Sequence, residues 1–104
     1  MSYPQFIIST EVRENDLAVN FILFNNFINA NLENANFKNA DLTTSAFYSA
    51  NLTNADLSGA DLREAILSGA DLSNANLDGA DLTGAFINEN TILKCNNHPI
   101  CNSS

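Results

Sequence analysis

The sequence predicts a solenoid, on three observations. Residues 50–85 place Ala at every fifth position with a large aliphatic residue two places later. A period of five suits neither a helix nor a continuous strand. The two ends of the chain abandon the rule. At about 100° per residue, a helix would rotate successive leucines by roughly 140° and scatter Leu52, Leu57, Leu62 and Leu67 around all sides. In a single strand the odd spacing would send them alternately to opposite faces. The conflict disappears if the chain turns a corner once per repeat, so that each short extended piece points its large residue at a common axis.

Each block reads as a small residue, then Asp or Asn, then a large apolar residue, then two variable ones. Residues 1–14 stand outside the pattern and are assigned as an N-terminal cap, in which "YPQFII" could fold back over the first coil. The phase begins loosely in Asn15-Asp16-Leu17, Asn20-Phe21-Ile22 and Asn25-Asn26-Phe27. Twelve clean blocks follow, from Ala30-Asn31-Leu32 to Ala85-Phe86-Ile87, with Ser45 the only substitution at the small position. One more block, Asn90-Thr91-Ile92, extends the repeat to residues 15–94, and 95–104 become a C-terminal cap or tail. Caps are expected because an uncovered last coil leaves unpaired amides and carbonyls, and terminal segments of solenoids are atypical in sequence.

Composition narrows the function. Twelve acidic and four basic residues give a formal charge of −8 over 104 residues, which argues against direct binding to nucleic acid or to an anionic membrane. No apolar run approaches the roughly 20 residues of a membrane span. The start, "MSYPQFIIST", has no basic segment leading into a long apolar one, so no signal peptide is visible and a cytoplasmic setting is expected; an exported, already trimmed chain is compatible with the same residues. The abundance of Asn and Asp suits the many turns of a corner-rich fold.

The run of small residue, Asp or Asn, and Leu in unbroken blocks resembles the pentapeptide-repeat family over about three quarters of the chain. The resemblance implies an all-β fold, a right-handed quadrilateral β-helix of about four coils with four pentapeptides in each. It also implies that the large residue and the small one before it face inward. The inward set would be Leu32, Phe37, Leu42, Phe47, Leu52, Leu57, Leu62, Leu67, Leu72, Leu77 and Leu82, each with its small residue two places earlier. Alternation of Leu with Ala fills a narrow prism at native packing density.

With twenty residues to a coil, positions twenty apart stack. One outward column is Asp41, Asp61 and Asp81, with Arg63 alongside, and reads as a solvated acidic face or a surface for basic groups. A second, Asn34, Asn54 and Asn74, reads as an Asn ladder at a corner. A third breaks the rule: Ala46, Ile66 and Phe86 occupy the Asp/Asn position, Ile28 and Tyr48 lie just beyond the large residue, and Phe21, Leu23 and Phe24 adjoin them in the first coil. These residues are the interface candidates, because contiguous exposed apolar surface on a small protein marks a partner or a flap of its own chain.

The tail "KCNNHPICNSS" holds the single His and both Cys residues. Cys95, His98 and Cys101 are one ligand short of a closed zinc site, so no metal is expected. A disulfide between Cys95 and Cys101 is sterically allowed, and two free thiols are the alternative. No catalytic set and no phosphate-binding loop emerges, so neither enzyme activity nor a cofactor is expected. Two functions remain. The first is an acidic scaffold that binds a protein partner or itself, as in a homodimer, through the apolar stripe. The alternative, implied by the resemblance, is a mimic of duplex DNA that binds a type II topoisomerase such as gyrase. Against the mimic, the family's DNA mimics are longer rods, and their C-terminal dimerising helix has no match in this tail.

Overall fold

A computed structural model describes residues 25–102. The expected N-terminal cap and the first two loose blocks, with Phe21, Leu23 and Phe24, lie outside the described residues. Within them the chain winds as a β-solenoid whose coils pair through isolated parallel bridges. Four columns of bridges define four faces. The first runs Asn26, Ala46, Ile66, Phe86; the second Asn31, Asn51, Asp71, Ile92; the third Asn36, Asp56, Asn76, Asn96; the fourth Asp41, Asp61, Asp81. Successive partners are twenty residues apart everywhere except Asp71 and Ile92.

Each side is shorter than a conventional strand, for a reason visible in the quintet. A four-residue turn begins at every large residue, whose carbonyl accepts the amide of the next small one, as in Ala55 to Leu52 and Ala60 to Leu57, both at 3.0 Å. Turn residues consume most of the block, leaving one bridged residue per side. The corner is bent by the last residue of the block, which has positive φ at every block from Asn29 to Gly84. Asn and Gly enter this left-handed region at low cost, which explains why all four glycines of the chain sit there. Asn34, Asn54 and Asn74 belong to this set, at φ of 65°, 64° and 61°. They serve backbone geometry, and no hydrogen bond runs between their side chains among the described residues. Among the described residues the one Asn-to-Asn contact between bridged residues is on the second face, where Asn51 Nδ2 donates to Asn31 Oδ1 at 3.4 Å.

The core is the column of large and small residues. Leu32, Phe37, Leu42, Phe47, Leu52, Leu57, Leu62, Leu67, Leu72 and Leu77 are fully buried, and Phe27 from the loose upstream phase joins them. Phe27 stacks on Phe47 with centroids 5.0 Å apart, and Phe37 meets both edge-on at 5.8 and 6.0 Å. Such offset and edge-to-face pairs add to the area term. Leu82 departs from the expected set: it is only partly buried, and Ile87 is 40% exposed, because these residues stand at the end of the column with no complete coil above.

Ser45 replaces Ala at a fully buried small position, and its hydroxyl is the one buried side-chain polar atom among the described residues without a hydrogen-bond partner. Burying an unpaired hydroxyl costs stability. Ser45→Ala is therefore expected to raise the unfolding free energy by about 1–2 kcal/mol, measured by urea denaturation.

The largest departure from the sequence expectation is at residues 87–92. The block Asn90-Thr91-Ile92 does not hold phase. Ile92 takes the outward, bridged position and is 40% exposed, while Leu93 turns inward and is buried. One extra residue enters this side and the next is one shorter, since Asn96 again pairs twenty residues on from Asn76. The wider corner is tied down by side chains. Thr91 Oγ1 donates to Leu67 O at 3.0 Å and accepts the amides of Asn88 and Gly69, and Asn88 Oδ1 also accepts from Gly69. Pairing thus reaches two residues beyond the expected end of the repeat at 94.

Candidate functional site

The outward residues of the four faces are set by how each block satisfies its own backbone. Wherever the second residue of a block is Asp or Asn, its Oδ1 accepts the amide two residues on, for example Asn36 from Lys38 at 3.0 Å and Asp56 from Ser58 at 3.0 Å. This is an Asx-turn, and where the turn former is Asp a Ser or Thr two places on adds its hydroxyl, as Thr43 does to Asp41 at 2.8 Å. The residue type that reads as charge in the sequence is therefore first a turn former.

The fourth face places Asp41, Asp61 and Asp81 in one bridged ladder, as the twenty-residue spacing predicts. Arg63 donates to Asp61 from Nε and Nη2, both at 2.8 Å. This two-pronged contact holds the Asp61 carboxyl below its ordinary value, and the Thr83 hydroxyl and amide do the same for Asp81. A carboxyl whose pKa is lower folded than unfolded contributes stability that is present above the unfolded value and lost as pH falls through the folded one. The melting temperature is expected to decline below about pH 4. Asp61→Asn combined with Asp81→Asn should flatten that decline in a thermal-melt series across pH, with the turns intact, since Asn26, Asn31 and Asn76 already form them.

On the first face the Asx-turn is absent after Asn26. Ala46, Ile66 and Phe86 form a continuous bridged ladder facing outward. Phe86 is 58% exposed, Tyr48 44% and Ile28 38%, while Ala46 and Ile66 are half-buried within the stack. The structure thus brings together five of the eight interface candidates on one face and its adjoining corner. Ile87 and Ile92 extend apolar exposure at the C-terminal end. The sequence reasoning missed Ile92, because the one-residue slip exchanges its place with Leu93.

At the C-terminus Cys95 and Cys101 are joined as a disulfide. His98 lies in the ring it closes, with Nδ1 accepting the Ile100 amide at 3.1 Å and Nε2 3.2 Å from Ala80 O. A 3-10 helix, Pro99–Asn102, follows. Both sulfurs and both ring nitrogens are thereby engaged within the protein, and no group of three or more metal-binding side chains occurs among the described residues. Nor is any helix there long and apolar enough to cross a membrane.

The geometry matches known proteins. The family model for pentapeptide repeats matches in eight copies, over residues 26–63 and 45–84, more than half of the chain. No match was found among curated proteins. Among solved structures, the pentapeptide repeat protein Rfr23 from the cyanobacterium Cyanothece 51142 is 37% identical with a TM-score of 0.62, covering 62% of this chain and 44% of its own. A pentapeptide repeat protein of the Arabidopsis thaliana thylakoid lumen is 36% identical with a TM-score of 0.51, covering 80% of this chain and 66% of its own. The chain spans less than two thirds of the length of either. Eight copies of the repeat, coils that pair at twenty-residue spacing and a Leu/Ala core place this chain in the pentapeptide-repeat family.

Proposed function

We propose that the protein is a non-enzymatic acidic scaffold that acts by protein–protein contact through the apolar stripe of its first face. The scaffold is the right-handed quadrilateral β-helix that the family implies. One observation carries the reading: Ala46, Ile66 and Phe86 replace the turn-forming Asp or Asn in three successive coils of one face, and Ile28 and Tyr48 flank them. Giving up three Asx-turns on a single face costs local stability, and the outward apolar ladder, with Phe86 58% exposed, leaves much of its surface in water in the isolated chain. Covering the ladder offsets that cost, at about 25 cal/mol per Å² removed from water. The complementary surface is an apolar strip with a basic rim, because the chain carries −8.

The test is Ile66→Asp with Phe86→Asp, followed by size-exclusion chromatography with light scattering at two salt concentrations. Both side chains point outward, so the variant should fold, which circular dichroism checks. Self-association is supported if a wild-type dimer becomes a monomer, and an unchanged oligomer refutes it. If the wild type is itself a monomer, pull-down with intact and mutated stripes asks whether a different protein occupies the face.

The second reading, a mimic of duplex DNA at a type II topoisomerase such as gyrase, draws support from the fourth face, where three aspartates stack on consecutive coils. A supercoiling assay with purified gyrase should then show inhibition that falls when Asp41, Asp61 and Asp81 are changed to Asn. The scaffold reading predicts no effect in that assay.

A further inference from the structure

The C-terminal ring replaces a missing rung of the solenoid. In the two coils below, the carbonyls of Ala40 and Ala60 accept the amides of Asp61 and Asp81 at 2.9 and 3.0 Å. One coil higher, position 101 holds Cys101, and Ala80 O meets the imidazole of His98 instead. Because His98 Nδ1 accepts the Ile100 amide, the ring hydrogen sits on Nε2 and is donated to Ala80 O. Cys101 N donates in turn to His98 O at 3.0 Å, so His98 is gripped by the residues two and three places on in the ring. Cys95, Ile100 and Cys101 pack against the end of the core, beside the half-buried Leu82. The tail therefore satisfies an edge carbonyl and shields apolar surface at an end that would otherwise be open to another chain.

Apart from backbone pairing up to Asn96, the non-covalent holds on this segment are two side-chain hydrogen bonds, Asn97 Nδ2 to Asn76 Oδ1 at 3.0 Å and His98 Nε2 to Ala80 O at 3.2 Å, and the packing of Ile100; beyond His98 only that packing remains. The covalent bond between Cys95 and Cys101, six residues apart, is what restricts the loop to the bound shape. We propose that this disulfide is a thiol–disulfide switch for the end cap: oxidised, it holds His98 on Ala80; reduced, it releases residues 98–102 and uncovers the end of the Leu/Ala column. The reductant is a dithiol. Its thiolate attacks one sulfur of the pair to form a mixed disulfide, and its second thiol displaces the remaining protein sulfur. Two protein thiols and one cyclic disulfide result, with two electrons and two protons passing from the dithiol to Cys95 and Cys101. In a reducing compartment a pair of this kind follows the thiol pool rather than serving as a permanent staple. The cap switch stands independently of the apolar stripe, which lies on the first face.

Hydrogen exchange on the full chain, read at single amides, tests the proposal in the oxidised protein, after dithiothreitol, and in the Cys95→Ser/Cys101→Ser double variant. Reduction and the variant should each speed exchange at Ile100 and Cys101 at least tenfold, while Leu52, Leu57 and Leu62 stay within twofold, and reoxidation should restore the wild-type rates. Equal protection of Ile100 and Cys101 in all three samples would show that packing alone holds the tail. Acceleration spread evenly through Leu52, Leu57 and Leu62 would make the bond a staple for the whole fold. Either result overturns the switch.

Discussion

Leu57→Ala is expected to lower the unfolding free energy by about 2–5 kcal/mol, toward the upper end of that range. Leu57 is fully buried in the middle coil of the third face, with Phe37 and Leu77 equally buried in the coils below and above. The cost of such a truncation depends on how far the surroundings can collapse into the space left behind. Here they can move little. The Leu57 amide is bonded to Asn76 O at 2.8 Å, and the neighbouring Asp56 amide to Ala35 O at 2.9 Å, so the backbone is tied to both adjacent coils. Leu82→Ala, at the half-buried end of the core on the fourth face, should cost clearly less. Urea denaturation of the two variants checks the ordering, and equal losses would mean that the end of the column is as well packed as its middle.

Thr91→Val should destabilise the protein by about 1–3 kcal/mol, although the two side chains are nearly the same shape. The hydroxyl of Thr91 makes three backbone contacts in the widened corner: it donates to Leu67 O and accepts from the amides of Gly69 and Asn88. Valine leaves Leu67 O without that donor, and leaves Gly69 with only Asn88 Oδ1. The effect should stay local. Amide exchange should rise at Gly69 and Asn88 and remain unchanged at Asp56 and Leu57, because coils contact only their neighbours along the axis. A variant as stable as the wild type would show that the extra residue is accommodated by backbone geometry alone.

The acidic column shows how one residue type carries two roles. Asp41, Asp61 and Asp81 were legible in the sequence as a stack, and they do stack. Their first task was not legible. Each Oδ1 caps the amide two residues on, as Asn does elsewhere. The choice of Asp over Asn therefore alters surface charge while leaving the turn unchanged. On the first face the logic reverses: Ala46, Ile66 and Phe86 cannot cap an amide at all, which is why that stripe, and not the acidic face, stands out as the candidate contact surface. Asn34, Asn54 and Asn74 looked like an amide ladder because they recur every twenty residues, yet they recur because the corner demands positive φ.

By itself the sequence determined the period, the corner at every quintet, the inward Leu/Ala column and the assignment of outward residues to faces. A strict alternation of small and large residues states which side chains must leave water, and a period of five can satisfy that only by bending. The tertiary structure alone decided what happens where the alternation fails. Ile92 and Leu93 are both apolar, and hydrophobicity cannot choose between them. The choice was made by Leu67 O and Gly69 N, some twenty residues earlier in the chain, which capture Thr91 and Asn88 and so shift the next residues by one place. The sequence left Cys95 and Cys101 as either a disulfide or two free thiols, and the structure joins them and seats His98 on Ala80 in place of a rung. Local pattern governs burial, whereas hydrogen-bond partners presented by a neighbouring coil govern register.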